Sequence, residues 1–341
     1  MLELAVAAVP LELRNPFTLA HGTSMVRNNV FLRLRSEGLE AWGEAAVVPY
    51  YHISEAMIIE DMRANITEAV IRNDGPLTYS MASNALSCAL LGLEVQRSGV
   101  DERTLLKTGE GVHDAPSSYT VAYDTDIART LALIEASPFT TIKVKGGFAD
   151  DAERLAAIRR RFPDHTLYLD ANQGWTFEQA KRTITALGDL DIALVEEPMK
   201  GSPHQIRQLK ERTSIPILLD ETIQGEDDLH AYRESISGVV VKLAKSGGPR
   251  RARALIEVSR SLGLDVMLSC MVESSVAITY ALSLAPLCRW LDVDGPMLLH
   301  EDMGTAICYD EGRPRGTVAS LHPSSALIRS FADPLTWEIP L

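Results

Sequence analysis

The chain has 341 residues, 46% of them hydrophobic, which is enough for one large domain and a smaller companion. A formal charge of −13 argues against nucleic acid or an anionic membrane surface as a partner. Four cysteines without short repeated spacing, no apolar run near the ~20 residues that span a bilayer, and no basic stretch ahead of LAVAAV point to a reducing, cytoplasmic setting.

Residues 1–115 read as an α+β unit. LELAVAAVPLEL and NNVFLRLRSEGLEAWGEAAVV carry strand patterns, with Glu37-Gly38 as a turn. SEAMIIEDMRANITEAVIR and the Ala-rich YSMASNALSCALLGLEVQRSG follow as helices, the second largely buried. VHDAPSS, with Pro, Asp and Ser together, is the expected linker. From Tyr119 the pattern changes to strict alternation. The strands are YTVAYD, TTIKVK, TLYLDA, IALVEEP, IPILLDE, GVVVKLA, DVMLSCM and WLDVDG, with helical patterns between them. Near-continuous apolar strands alternating with helices imply a parallel sheet buried on both faces. Eight of them predict an α/β fold with a closed barrel over residues 116–318. Residues 319–341 lack the repeat and are expected to return to the first unit.

Five of these strands end on a charge: Lys145, Asp170, Glu196, Asp220 and Lys242. A buried charge is costly unless it is paired, hydrogen-bonded or metal-bound. Charges set about one strand-plus-helix unit apart predict one polar site at the barrel mouth. Three carboxylates suit a hard divalent ion such as Mg²⁺; the bland alternative is ion pairing across the barrel. Lys143 lies on the same strand face as Lys145. Mutual repulsion and burial are expected to lower a lysine pKa towards that of a general base. Lys242 is read as the inward lysine of KLAKSGG, and Lys245 as lying past the strand end.

The set Lys143-x-Lys145, LDANQGW, VEEP, LDET and KLAKSGG closely resembles the enolase superfamily, in its muconate lactonizing enzyme subgroup. The resemblance spans nearly the whole chain. It implies a modified TIM barrel, (β/α)7β, with an N-terminal α+β capping domain. It also implies Asp170, Glu196 and Asp220 as Mg²⁺ ligands, Lys145 and Lys242 as opposed acid/base lysines, and Lys143 as their neighbour at the developing charge. Asp292-Val-Asp294 in WLDVDGP looks like the Asp-x-Asp signature of the dipeptide epimerases, where the carboxylates hold the substrate's free ammonium. Residues two apart on a strand share a face, which suits that task; a solvated acidic turn is the plainer reading.

The resemblance further points to Thr120 at the substrate carboxylate and to Cys270, Met271 and Val272 as pocket lining. NPFTLAHGTSMVRNNV resembles a mobile capping loop, offering His21 or Arg27 to the substrate, and Tyr50 to His52 belong to a second such loop. Relatives specific for Ala-Glu use an arginine in the first loop. Ser24 and Met25 stand near that place here, leaving hydrophobic or other dipeptides open. The implied reaction is epimerisation at the Cα of a dipeptide's C-terminal residue by proton transfer between two lysines, through an enediolate. An o-succinylbenzoate synthase, an N-acylamino acid racemase or a muconate-type cycloisomerase shares the barrel and lysines, but its substrate lacks a free ammonium. A Schiff-base aldolase would not need three carboxylates. A small-molecule dipeptide is the implied partner, and barrels of this kind often form homo-oligomers.

Overall fold

The structure, a computed structural model, describes residues 1–20, 22–48, 51–109 and 114–340. Three strands begin the chain: β1 (Leu2–Leu19), β2 (Gly22–Ser36) and β3 (Leu39–Ala45). They pair antiparallel as successive hairpins. Glu37 and Gly38 turn the second hairpin at φ 54° and 81°, a left-handed pair whose twist suits tight hairpins. Alternation places Leu4, Val6, Leu32 and Leu34 on one face of the sheet, and Ala5, Val9, Leu11 and Phe31 on the other.

Helices α1 (Glu55–Asn65), α2 (Glu68–Asn73), α3 (Ser80–Ser98) and α4 (Glu102–Leu106) follow. The sequence pattern over 54–72 reads as one helix, whereas the structure breaks it at Ile66–Thr67. Thr67 turns extended and its hydroxyl accepts the Val70 N–H at 3.3 Å, so a local cap outcompetes helical periodicity. Helix α3 lies against β3. A Cβ on Gly43 would come within 1.9 Å of the Ala85 carbonyl oxygen, so this close approach requires glycine.

The alternating region is β4 (Tyr119–Val121), α5 (Ile127–Ala136), β5 (Thr141–Lys145), α6 (Asp151–Arg161), β6 (Thr166–Asp170), α7 (Phe177–Ala186), β7 (Ile192–Glu196) and α8 (Pro203–Lys210). It continues with β8 (Ile217–Leu219), α9 (Glu226–Tyr232), β9 (Gly238–Lys242), α10 (Leu243–Ser246), α11 (Pro249–Ser261), β10 (Asp265–Ser269), α12 (Ser275–Ala281), β11 (Trp290–Asp292) and α13 (Gly295–Leu298). Capping boxes start α7 (Thr176/Gln179) and α8 (Ser202/Gln205), as their sequences dictate. Among the described residues, β4–β11 form one sheet in chain order, each neighbour parallel. A parallel bridge between Ser117 and Leu291 joins its two edges. The expected barrel is therefore present, with a four-residue helix after its last strand.

The chain ends with a small hairpin, β12 (Cys308–Asp310) and β13 (Arg313–Arg315), then α14 (Ser325–Ser330) and β14 (Leu335–Ile339). Strand β14 pairs antiparallel with β1, Leu2 opposite Ile339. Leu299 and Leu327 pack on the sheet face of Val9 and Phe31. The stretch expected as a loop is instead largely the tip of the β1–β2 hairpin, paired from Phe17–Ser24 to Leu19–Gly22. The ladder is irregular between Glu12 and Phe17, where Pro16 has no N–H to donate. The hairpin brings Phe17 and Leu19 from its tip, and Arg27 from lower on β2, to the pocket at the barrel mouth. No described helix is long and apolar enough to cross a membrane.

Candidate active site

Parallel strands present all their C-terminal ends at one mouth. Lys145, Asp170 and Glu196 are direct neighbours across β5, β6 and β7. Lys242, Ser269 and Asp292 are neighbours across β9, β10 and β11. Asp220 follows β8 directly. All five strand-end charges are buried. One pocket is lined by Thr120, Lys143, Lys145, Lys242, Cys270, Met271, Val272, Asp292 and Asp294, roofed by Phe17, Leu19, Arg27 and Val48. His21 and Tyr50 lie outside the described residues. His52 is exposed, and Tyr51 lines a different cleft, beside Gln173 and Glu221.

Asp170, Glu196, Asp220 and Asp292 each meet a lysine. Lys143 Nζ lies 3.1 Å from Asp170, 2.6 Å from Glu196 and 2.7 Å from Asp292. Lys145 Nζ is 2.6 Å from Asp170, and Lys242 Nζ is 2.7 Å from Asp220. The expectation of a lowered lysine pKa fails at Lys143. Burial opposes its charge, but Asp170, Asp292 and Glu196 together drive its pKa well above the ordinary lysine range. Burial also opposes ionisation of Asp170 and Asp220. The lysines overcome it and hold both carboxyls well below the usual range. Glu196 goes the other way, pushed up by burial and by Asp170.

Lys245 is a site residue that strand parity missed. Its Nζ lies 2.6 Å from Asp220 Oδ1 and also donates to the Asp220 carbonyl. The period changes at Leu243, where α10 begins. On a helix, a residue three further on returns to the same side. The i, i+3 lysine spacing in KLAKSGG carried that signal.

Behind the carboxylates, the next residues lock the loops. Asn172 and Gln173 adopt φ 43° and 61°, and Glu197 φ 40°. Asn172 donates its backbone N–H to Asp170 Oδ1 (3.0 Å) and its amide to Glu221 (3.1 Å). Glu197 accepts the Gln173 amide at 2.7 Å and the Asp220 N–H at 2.6 Å. Such left-handed non-glycine positions persist only where the surroundings over-determine them.

Among the described residues, no three carboxylate, imidazole or thiol side chains are already arranged to hold a metal ion. The lysines account for this, since Nζ groups lie against the oxygens such an ion would take. The donor set nevertheless fits Mg²⁺: hard oxygens at the ends of three successive strands, with Glu196 Oε1 buried and, among the described residues, lacking a hydrogen-bond partner.

Asp292 and Asp294 differ. Asp292 accepts from Lys143 Nζ, Ser269 Oγ and Ser118 Oγ, each at 2.7 Å. Its charge is matched from within the barrel. Among the described residues, Asp294 accepts only from neutral donors, the Thr120 N–H at 2.6 Å and hydroxyl at 3.3 Å. Burial, then Asp292, pushes its pKa up to about 7.

The sequence reading also missed a capping-domain residue that holds the pocket wall. Glu44, fully buried on β3, accepts from Asn29 Nδ2 (2.7 Å), Ser274 Oγ (2.5 Å) and the Ser274 N–H (3.1 Å). The same Asn29 amide donates to the Val272 carbonyl at 2.9 Å. Cap and pocket lining are thus one network. Burial and then Glu273 raise Glu44 from 4.5 to about 8, while burial raises Glu273 to about 7. A carboxyl raised on folding stabilises fully below its unfolded pKa, and that stability is lost as pH climbs through the folded value. Thermal unfolding across this range is therefore expected to show stability falling with pH. Glu44→Gln should flatten that fall by an amount approaching 1.4 kcal/mol per pH unit; an unchanged slope would reject the assignment.

Residues 126–315 match the enolase C-terminal domain-like family, and residues 1–106 match the N-terminal domain of mandelate racemase / muconate lactonizing enzyme. The chain is an enzyme of the enolase superfamily. Among curated relatives, the L-Ala-D/L-amino acid epimerase of Pedosphaera parvula is 35% identical over 68% of each chain. The L-Ala-D/L-Glu epimerase of Escherichia coli is 30% identical over 88% of this chain and 95% of its own. The dipeptide epimerase from Cytophaga hutchinsonii, solved with Mg and D-Ala-L-Val, shares the fold with a TM-score of 0.86 at 22% identity, over 98% of both chains.

Proposed function

We propose that this enzyme epimerises a dipeptide at the Cα of its C-terminal residue. The observation that carries the reading is a single pocket lined by Lys145 from β5, Lys242 from β9, and Asp294 past β11. Strands β5 and β9 are four apart in an eight-strand barrel, so the two lysines approach from opposite sides. The named activities of the relatives support the same reading.

Asp170, Glu196 and Asp220 would hold Mg²⁺, which offsets negative charge as it builds on the substrate's terminal carboxylate. One lysine, as the free amine, takes the α-proton. The other, as ammonium, returns a proton to the opposite face, inverting the centre and leaving the two lysines with exchanged protonation. Lys143 remains cationic and faces the developing charge. Asp294 holds the substrate ammonium, with Thr120 fixing the carboxylate's direction. Phe17 and Leu19 in the roof make the space above the lysines partly apolar.

The test is incubation of the Mg²⁺-loaded enzyme with a dipeptide library in D₂O, read by mass spectrometry. The expected result is one deuterium at the C-terminal Cα, lost with a chelator and restored by Mg²⁺. Exchange confined to N-acylamino acids would favour the racemase alternative, and no exchange in any dipeptide would reject the proposal.

A further inference from the structure

The catalytic pocket borders further space at Thr120. Phe17, Thr120 and Leu298 line it and also line a second, half-open groove of about 730 Å³. The groove lies between the β1 hairpin tip, β4 and α5, and its walls include Leu13, Pro16, Tyr119, Leu133 and Met297. Its charged members, Asp124 and Arg129, face each other at 3.6 Å, so the space offers no isolated charge to a ligand. Asp294, bonded to Thr120, stands at the junction of pocket and groove.

With the ammonium held at Asp294 and the C-terminal α-carbon between Lys145 and Lys242, the dipeptide backbone is pinned at two points, which limits where the N-terminal side chain can point. The lysine side of the pocket is occupied by charged groups, whereas the groove beside Thr120 is open and mostly apolar. Resting on the dipeptide reading, we propose that this groove receives the side chain of the substrate's N-terminal residue. The enzyme then favours a bulky apolar residue there, such as leucine, methionine or phenylalanine. At about a fourfold gain per buried methylene, the three extra carbons of leucine should raise kcat/KM over alanine by about 60-fold when fully buried, and by at least about tenfold when half buried.

Ala132 offers a clean test, because it is exposed on α5 and lines the groove, so Ala132→Trp narrows the groove without disturbing the core. Deuterium exchange is measured for Gly-, Ala-, Leu- and Phe-Xaa dipeptides sharing one C-terminal residue, with the Mg²⁺-loaded wild type and variant. The expected result is a wild-type preference for Leu and Phe of at least tenfold. That preference should be lost in Ala132→Trp while the Gly and Ala substrates keep their rates. A flat N-terminal profile, or an equal loss for all substrates in the variant, would overturn the groove assignment and leave the epimerase reading intact. Absence of exchange with every dipeptide would remove both together.

Discussion

Under the proposed scheme, Lys145→Met and Lys242→Met should each lower net epimerisation by about 10³-fold or more, because each removes one of the two groups assigned to exchange a proton with the α-carbon. Neither change strips its carboxylate of positive charge. Asp170 retains Lys143 at 3.1 Å, and Asp220 retains Lys245 at 2.6 Å. The carboxylate cluster is therefore expected to survive, and circular dichroism with Mg²⁺ titration would check that it does. The informative readout is exchange without inversion. In D₂O the remaining lysine still reaches one face of the substrate, so each variant should deuterate one diastereomer and leave the other untouched. The two variants should deuterate opposite diastereomers. Normal epimerisation by either variant would exclude the two-lysine scheme.

Asp294→Asn should lower kcat/KM for dipeptides by about 10²-fold, mostly through KM. Removing one partner of a buried charge pair costs roughly 2–5 kcal/mol, and tenfold corresponds to 1.4 kcal/mol. Asp292 cannot stand in, since its charge is already matched by Lys143. The free carboxyl titrates at about 7, raised first by burial and then by Asp292. It is neutral below that value and a carboxylate above it, so wild-type kcat/KM should fall on the acid side of pH 7. The variant should lack that limb. N-acylamino acids, having no ammonium, should be used no worse by the variant. An equal loss with both substrate classes would place Asp294 in a purely structural role.

Both results depend on features that differ in how readable they were. The eight barrel strands and the charges closing five of them are legible because strand periodicity and strand-end chemistry are local. Lys245 was not legible by strand parity, because the period switches from strand to helix one residue after Lys242. The hairpin tip is expected as a capping loop by resemblance alone, and only the structure shows strand pairing resuming at Phe17. Glu44 carried no local sign of its role. Its partners Ser274 and Ala277 are over 200 residues away, on the helix that follows β10.

The sequence by itself determined which residue types close which strands, and so placed three carboxylates and two lysines at one barrel mouth. Only the tertiary structure decided which charges meet. It drove the Lys143 pKa up where repulsion from Lys145 was expected to lower it, because three carboxylates from other strands surround that lysine. It matched Asp292 with a cation and, among the described residues, gave Asp294 neutral donors, although the two stand only two positions apart in the chain. The physical reason is the same in each case. A buried charge is governed by neighbours within a few ångströms, and barrel closure, not chain order, selects those neighbours.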